Sequence, residues 1–349
     1  PMFIREATLN DNEELQQLQI KCPQGTSLIV STVNTPDFFA RAKAYESYKV
    51  YVACEGDRII ASHACALRNA LVNGKLNRVG YSFQTFVHPN HRKKNLAKLL
   101  LQHMEDHLIQ NGVVLVYGLI MEKNLPSIKL VESLGFRLQR KLVMPGLAVR
   151  KEIDLRFGKK VRSVGSRDLE NVAELLNETW KNHEMYEPAS ADSLARFISR
   201  TPGFSMENLL VIEDKGNILT CLAFWDWSQV MRLTLKALDL KFKIIDRLLF
   251  ITGVLPQVLK PGDQLNQIML TLIGYREPSH LAILIKHINN YAFERDIKQI
   301  FCICERNHVM LNSLKRFVKI STNIDLYIKP FKENFMLNKD PVFIDGIDM

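Results

Sequence analysis

Near its start the chain reads Ile4-Arg5-Glu6-Ala7-Thr8-Leu9-Asn10-Asp11, a strand-like segment that gives way to helical spacing at Leu15 and Leu18. Val161-Arg162-Ser163-Val164-Gly165-Ser166-Arg167-Asp168, followed by Val172 and Leu175, repeats that pattern at one constant offset. Asp11 and Asp168 each stand where a helix start favours a carboxylate. Val50-Tyr51-Val52-Ala53 and Ile59-Ile60, separated by Glu55-Gly56-Asp57, read as strand, turn, strand. Leu209-Leu210-Val211-Ile212 and Ile218-Leu219, around Asp214-Lys215-Gly216, read the same way. Met121-Glu122-Lys123-Asn124 and Cys304-Glu305-Arg306-Asn307 each close an apolar strand and open a helix. Three pairs in the same order predict a duplicated unit. The boundary is expected near 151–160, where Lys151, Arg156, Lys159 and Lys160 mark a polar connection.

The second copy carries extra sequence near 226–262. There Leu233, Ala237, Leu240, Ile244 and Leu248 follow a helical spacing. A core-packing or lid helix is the expected role. Lys236, Lys241, Lys243 and Arg247 also fit a helix lying on a membrane surface.

Chemistry concentrates between 81 and 100. A strand from Tyr81 to Val87 is stopped by Pro89, which cannot donate to a ladder. A basic turn follows, and Leu96, Leu100 and Met104, with Leu99 and Leu108 beside them, form a helical apolar stripe. The strand therefore delivers a loop to a helix N-terminus, whose first amides have no intrahelical partner and carry partial positive charge. Such an end binds phosphate. Arg92, Lys93, Lys94 and Lys98 add charge there, Ala97 is small, and Asn95 tolerates left-handed backbone. A solvated basic helix start is the plainer alternative.

Composition narrows the class. At 349 residues, 47% hydrophobic and 24% charged, the chain is long enough for two ordinary cores. No apolar run reaches about 18 residues, and the N-terminus lacks a signal-peptide pattern, so a cytoplasmic protein with no membrane partner is expected. Six scattered cysteines predict reduced thiols. The net charge of +9 favours anionic partners without choosing among them. No nucleic-acid-reading motif is present, so no nucleic-acid partner is expected. His103 and His107 have metal-ligand spacing but no evident third ligand, and no metal is expected. Cys302 and Cys304 alternate on one strand face, as a thiol pair or as buried core. His88 and His91 border the basic loop, where phosphate contact and plain exposure both remain open.

The segment 79–145 resembles the GCN5-related N-acetyltransferase (GNAT) family, whose pyrophosphate loop reads Gln/Arg-x-x-Gly-x-Gly/Ala. Arg92, Asn95 and Ala97 occupy its defined positions, with Asn95 in place of the usual glycine. Asn124-Leu125-Pro126-Ser127-Ile128-Lys129-Leu130-Val131-Glu132-Ser133-Leu134-Gly135-Phe136 is similar to that family's second block; Asn124, Leu130, Glu132, Gly135 and Phe136 match. Val131 replaces the tyrosine that usually protonates the departing thiolate. The resemblance weakens over 161–349, where Ile273-Gly274-Tyr275-Arg276-Glu277-Pro278-Ser279-His280 offers one arginine and an opposing glutamate instead of a phosphate loop.

The resemblance implies an α/β (α+β) fold of two tandem GNAT-like domains, each a mixed, mostly antiparallel twisted sheet flanked by helices. The first, 1–150, would bind acyl-CoA; the second, 161–349, would be degenerate. It implies an N-acyltransferase that carries an acetyl or other acyl group from acetyl-CoA to a primary amine, on a small molecule or peptide, by direct attack in a ternary complex. Phe86, Val87, Arg92, Lys93, Lys94, Asn95, Leu96, Ala97, Lys98, Asn124 and Ser127 would line the cofactor site; Asn124 reads equally as a strand-end cap. Tyr81, Tyr117 and Ser127 are the candidate catalytic residues, and Ser133 is another nearby hydroxyl. A CoA-binding sensor that has lost chemistry is the alternative. Oligomeric state and acceptor are not readable.

Overall fold

The computed structural model describes residues 2–25, 27–156, 159–253 and 257–349. Its first half runs β1 (Met2–Glu6), α1 (Asn12–Lys21), β2 (Leu28–Asn34), β3 (Ser47–Glu55), β4 (Arg58–Val72), β5 (Lys75–Val87), α2 (Leu96–Gln110), β6 (Leu115–Met121), α3 (Leu125–Ser133) and β7 (Arg137–Ala148). The second half begins with β8 (Val161–Ser163), α4 (Leu169–Trp180), α5 (Ala191–Arg200), β9 (Leu209–Asp214), β10 (Asn217–Asp226), β11 (Met231–Leu238) and α6 (Leu240–Ile251). It ends with β12 (Gln267–Tyr275), α7 (Leu281–Glu294), β13 (Gln299–Phe301), β14 (Cys304–Glu305) and β15 (Lys319–Pro330).

The duplication appears in matching details. Arg5 pairs with Asp11 at 2.7 Å, and Arg162 with Asp168 at 2.7 Å. Each aspartate also accepts the backbone N–H three residues before it, from Thr8 and from Gly165. The Arg5 hydrogen bond holds the Asp11 carboxyl down at about 2. Both hairpins form as expected, β3 with β4 and β9 with β10.

One large sheet unites the halves in the order β1-β3-β4-β5-β6-β15-β7-β13-β12-β10-β9-β8, with β14 also on β7. The order is nearly a palindrome. On the left β5 runs parallel to β6, and on the right β12 runs parallel to β13. At the centre the halves trade strands. β15, from the end of the second half, lies between β6 and β7 of the first and is antiparallel to both. β7 in turn closes the second half by pairing with β13 and β14. The sheet therefore does not divide at the polar connection near 151–160, of which residues 157 and 158 lie outside the described residues.

Alternation along the strands splits the apolar residues between the two faces. On β4, Ala64 and Ala66 join a core that extends through the second half, whereas Cys65 and Leu67 join a smaller core under α2 and α3. All six cysteines are buried and free. Burial pushes the Cys302 thiol up to about 12, so it behaves as core rather than as a reactive thiol.

The stretch 226–262 differs from its helical expectation. Leu233 and Ala237 lie on β11, which pairs antiparallel with β2 of the first half; only Leu240, Ile244 and Leu248 lie on a helix, α6. Met231, Leu233 and Leu235 also fit a two-residue period, and a strand partner far away in sequence decided between the two. Residues 254–256 of this stretch lie outside the described residues.

Candidate functional site

β5 is a strand with a partner on one side for its whole length and on the other for only part of it. It pairs with β6 only from Val79 to Tyr81, against Leu115 to Tyr117. Beyond Tyr81 it keeps β4 alone. The register with β4 slips between Ser62 and Ala64, and Gln84 takes φ 52° there. This is a β-bulge, which bends a strand and leaves backbone groups unpaired. The β5–β6 gap and the bulge together leave strand backbone without a partner strand on the β6 side, next to the basic loop.

His63 of β4 braces the bulge from beneath. Its Nδ1 lies 2.8 Å from Thr85 Oγ1, and its Nε2 lies 3.3 Å from Ser82 Oγ and 3.2 Å from Met104 Sδ on α2. Burial drives its pKa down to about 3, so the ring stays neutral. The unfolded chain takes up this proton near pH 6.5, whereas the folded chain resists it until about 3. The stability His63 carries is thus complete above pH 6.5 and lost as pH falls toward 3. In urea titrations, wild type minus His63→Gln should change by about 1.4 kcal/mol per pH unit between roughly pH 6 and 4. A constant difference across that window would show that His63 is not buried neutral.

Past Val87 the chain makes one 3-10 turn, Pro89–His91, with His88 Nδ1 accepting the Asn90 N–H. Lys93 then takes φ 64° and Asn95 takes φ 59°, both left-handed. Asparagine bears this conformation more easily than other non-glycine residues. Backbone that turns this way around Lys94 directs successive N–H groups into a concave anion nest. α2 follows with no side-chain cap, and its first intrahelical bond runs from Leu99 N–H to the Asn95 carbonyl. The amides of Leu96, Ala97 and Lys98 therefore face the loop. Arg92, Lys93 and Lys94 are exposed, and Lys98 is half-buried. Among the described residues none of the four has a carboxylate partner. Four cations, free amides and a helix N-terminus thus converge at one place, as phosphate binding requires.

The other predicted residues scatter. Val87 packs beside α2, whereas the Phe86 side chain is buried in the opposite core, edge-on to Phe38, so only its backbone reaches the loop. Asn124 caps α3 by accepting the Ser127 N–H at 3.4 Å, and Ser127 lies in the first turn of that helix. Val131 packs into the core under α3, and Ser133 donates back to the Leu130 carbonyl. His103 and His107 flank the Tyr51 ring.

Tyr81 and Tyr117 stack on the other face of the sheet, ring centroids 4.9 Å apart, at the point where β5 and β6 part. Their hydroxyls are engaged by the 345–349 segment, more than 230 residues further along the chain. Tyr117 donates to Asp348 Oδ2 at 2.9 Å, and Tyr81 donates to the Asp348 carbonyl. Tyr45 donates to Asp348 Oδ1 at 2.7 Å, and Arg68 reaches Asp348 Oδ2 at 3.1 Å and Tyr117 Oη at 3.0 Å. Burial raises all three phenol pKa values far above the ordinary range. These groups are satisfied and shut away, so they hold the 345–349 segment in place and do not present a free proton donor to the β5–β6 gap. Gly346 in that segment lies against β12, where a Cβ would come within 2.0 Å of the Leu270 carbonyl oxygen. Arg41 completes this side, over the rings of Phe83 at 5.2 Å and Trp227 at 5.8 Å. Trp227 comes from the second half and walls this side of the first-half site.

In the second half the corresponding geometry is filled. β12 carries a bulge at Leu272 (φ 47°) and parts from β13 after three residue pairs. Leu222, Leu270, Ile273, Leu281, Ile285 and Met310 line an apolar cavity of about 10 Å³ beside β12. Arg276 is paired with Glu178 at 3.1 Å, and Glu277 accepts from Ser279. His280 enters α7 in ordinary helical conformation, with no left-handed residue in the turn. Among the described residues the basic loop therefore has no counterpart between β12 and α7. Among the described residues no group of three or more His, Cys, Asp or Glu could hold a metal, and no helix is long and apolar enough to cross a membrane.

Residues 12–136 match the acetyltransferase (GNAT) family model. No curated protein matches the chain. Among solved structures it is similar to N-myristoyltransferase from Saccharomyces cerevisiae with bound myristoyl-CoA, at 12% identity and TM-score 0.66, over 99% of this chain and 83% of that one. It is also similar to a GCN5-related N-acetyltransferase from Sphaerobacter thermophilus, at 13% identity and TM-score 0.57, over 99% and 98% of the two chains. A third is the glucosamine N-acetyltransferase region of a fungal multi-domain β-N-acetylglucosaminidase, at 9% identity and TM-score 0.62, over 94% of this chain and 38% of that one. At these identities the likeness is one of fold.

Proposed function

We propose that this chain, whose residues 12–136 are a GNAT-family domain within a tandem GNAT fold, transfers an acyl group from acyl-CoA to a primary amine. The observation that carries the reading is the basic loop between β5 and α2, which among the described residues has no carboxylate partner and no counterpart between β12 and α7. Its amides and cations would hold the pyrophosphate. The open side of β5 beyond Tyr81 would take the pantetheine amides as an added strand.

The chemistry then follows from position. An acceptor such as a lysine amine, with pKa about 10.4, must lose its proton before it attacks the thioester carbonyl. Backbone N–H groups at the β5 bulge would stabilise the developing oxyanion. A thiol of pKa about 8.5 leaves readily as thiolate, so Val131 in place of an acid is no barrier to turnover. The acceptor would enter on the face walled by Arg41 and Trp227, at the junction of the halves, where ligand sites favour interfaces. The acyl chain is proposed to be acetyl, with longer chains as the competing choice; the amine belongs to a small molecule or a peptide.

Thiol release from acetyl-, octanoyl- and myristoyl-CoA, with a panel of amines and amino-terminal peptides, tests this. Release that requires an amine is expected with at least one pair. Tight CoA binding with no amine-dependent release under any pair would instead support a sensor. In the same assay Tyr117→Phe should slow release less than tenfold, about 1.4 kcal/mol of barrier, while lowering the melting temperature. A larger loss at unchanged stability would make Tyr117 the proton donor.

A further inference from the structure

α6 exposes an apolar face that none of the described residues covers. Phe242, Asp246 and Leu249, one turn apart, face the protein; Asp246 is buried and Oδ2 accepts the Leu259 N–H. On the opposite side Leu240, Ile244, Leu248 and Ile251 stand at 73%, 53%, 55% and 76% exposure. They follow an i, i+4, i+8, i+11 spacing, so they form one ridge along the outer surface. Ile245 and Phe250 widen it.

Charge decides what such a ridge meets. Lys243 and Arg247 flank it on one side and Lys241 on the other, with Lys236 at the end of β11; all four are exposed. Among the described residues none of them has a carboxylate partner, and the only acid on α6 is the buried Asp246. Two copies of this face would repel each other. Long cationic side chains beside an apolar ridge instead suit a bilayer surface, where the ridge enters the acyl boundary and the cations reach anionic headgroups. We propose that α6 docks this protein onto membranes rich in anionic lipid. The expectation that no membrane is involved rested on the lack of a spanning segment, which does not bear on a helix lying in the interface.

Sedimentation of the full chain with vesicles tests the proposal. Phosphatidylcholine vesicles containing about one third phosphatidylserine should bind at least about tenfold more protein than pure phosphatidylcholine at low salt. Ile244→Asp with Ile251→Asp should remove that binding. Lys241→Gln, Lys243→Gln and Arg247→Gln together should remove the preference for phosphatidylserine. Circular dichroism and melting temperature should match wild type in both sets, since every altered side chain is exposed. Wild type that binds both vesicles equally, or variants that sediment like wild type, would overturn the proposal. So would a wild-type chain that ignores vesicles but forms a dimer that the double aspartate variant dissociates.

Discussion

Residues 1–150 expressed alone should not yield a folded domain. β6 would lose β15, and β7 would lose β15, β13 and β14, leaving unpaired edges in the middle of what is now a continuous sheet. β15 brings Ile324, Leu326, Tyr327 and Ile328 to the core, each at most 3% exposed. At roughly 1.5–3 kcal/mol per buried side chain, their loss approaches the whole of the about 5–15 kcal/mol that keeps a domain folded. The fragment is expected in inclusion bodies, or in solution without a cooperative thermal transition. Co-expression with 151–349 should restore a soluble complex that melts as one unit, because both donated strands are then present. A monomeric 1–150 fragment that melts cooperatively and binds acyl-CoA would show that the exchange of strands is dispensable.

A change of one side chain in the loop should have the next largest effect. Asn95→Glu puts a carboxylate at the position where the pyrophosphate is proposed to sit, and like charges so placed cost several kcal/mol. Calorimetry with acetyl-CoA should register at least about a hundredfold loss of affinity, near 2.7 kcal/mol. Asn95→Gly separates charge from conformation. Residue 95 has φ 59°, which glycine adopts freely, so this variant should bind as well as wild type or better. Unchanged affinity in the glutamate variant would place the phosphates elsewhere.

The sequence revealed local features and little that depends on distant ones. The duplicated ion pairs, Arg5 with Asp11 and Arg162 with Asp168, are contacts within six residues, and their pattern repeated in the text of the chain. The left-handed turn at Asn95 was legible because few residue types bear it, whereas the left-handed Lys93 was not, since lysine gives no such signal. β11 reads as helix in the sequence because its partner β2 lies in the other half. Nothing in Lys319–Pro330 states that it belongs between β6 and β7, since any amphipathic strand reads alike and pairing is settled by the whole sheet. Asp348 is invisible for the same reason: Tyr45, its hydrogen-bond partner, is 303 residues away.

The exchange of strands also bears on how such a gene can change. A tandem duplicate with separate cores can be shortened to one copy by a single deletion. Here each copy supplies the strand that completes the other, so neither can be lost while the other remains whole. The loops of the second copy can therefore change freely while its strands stay, since β15 completes the first half and β7 completes the second. The second half is thus held in place by its connectivity, whatever its own surfaces bind.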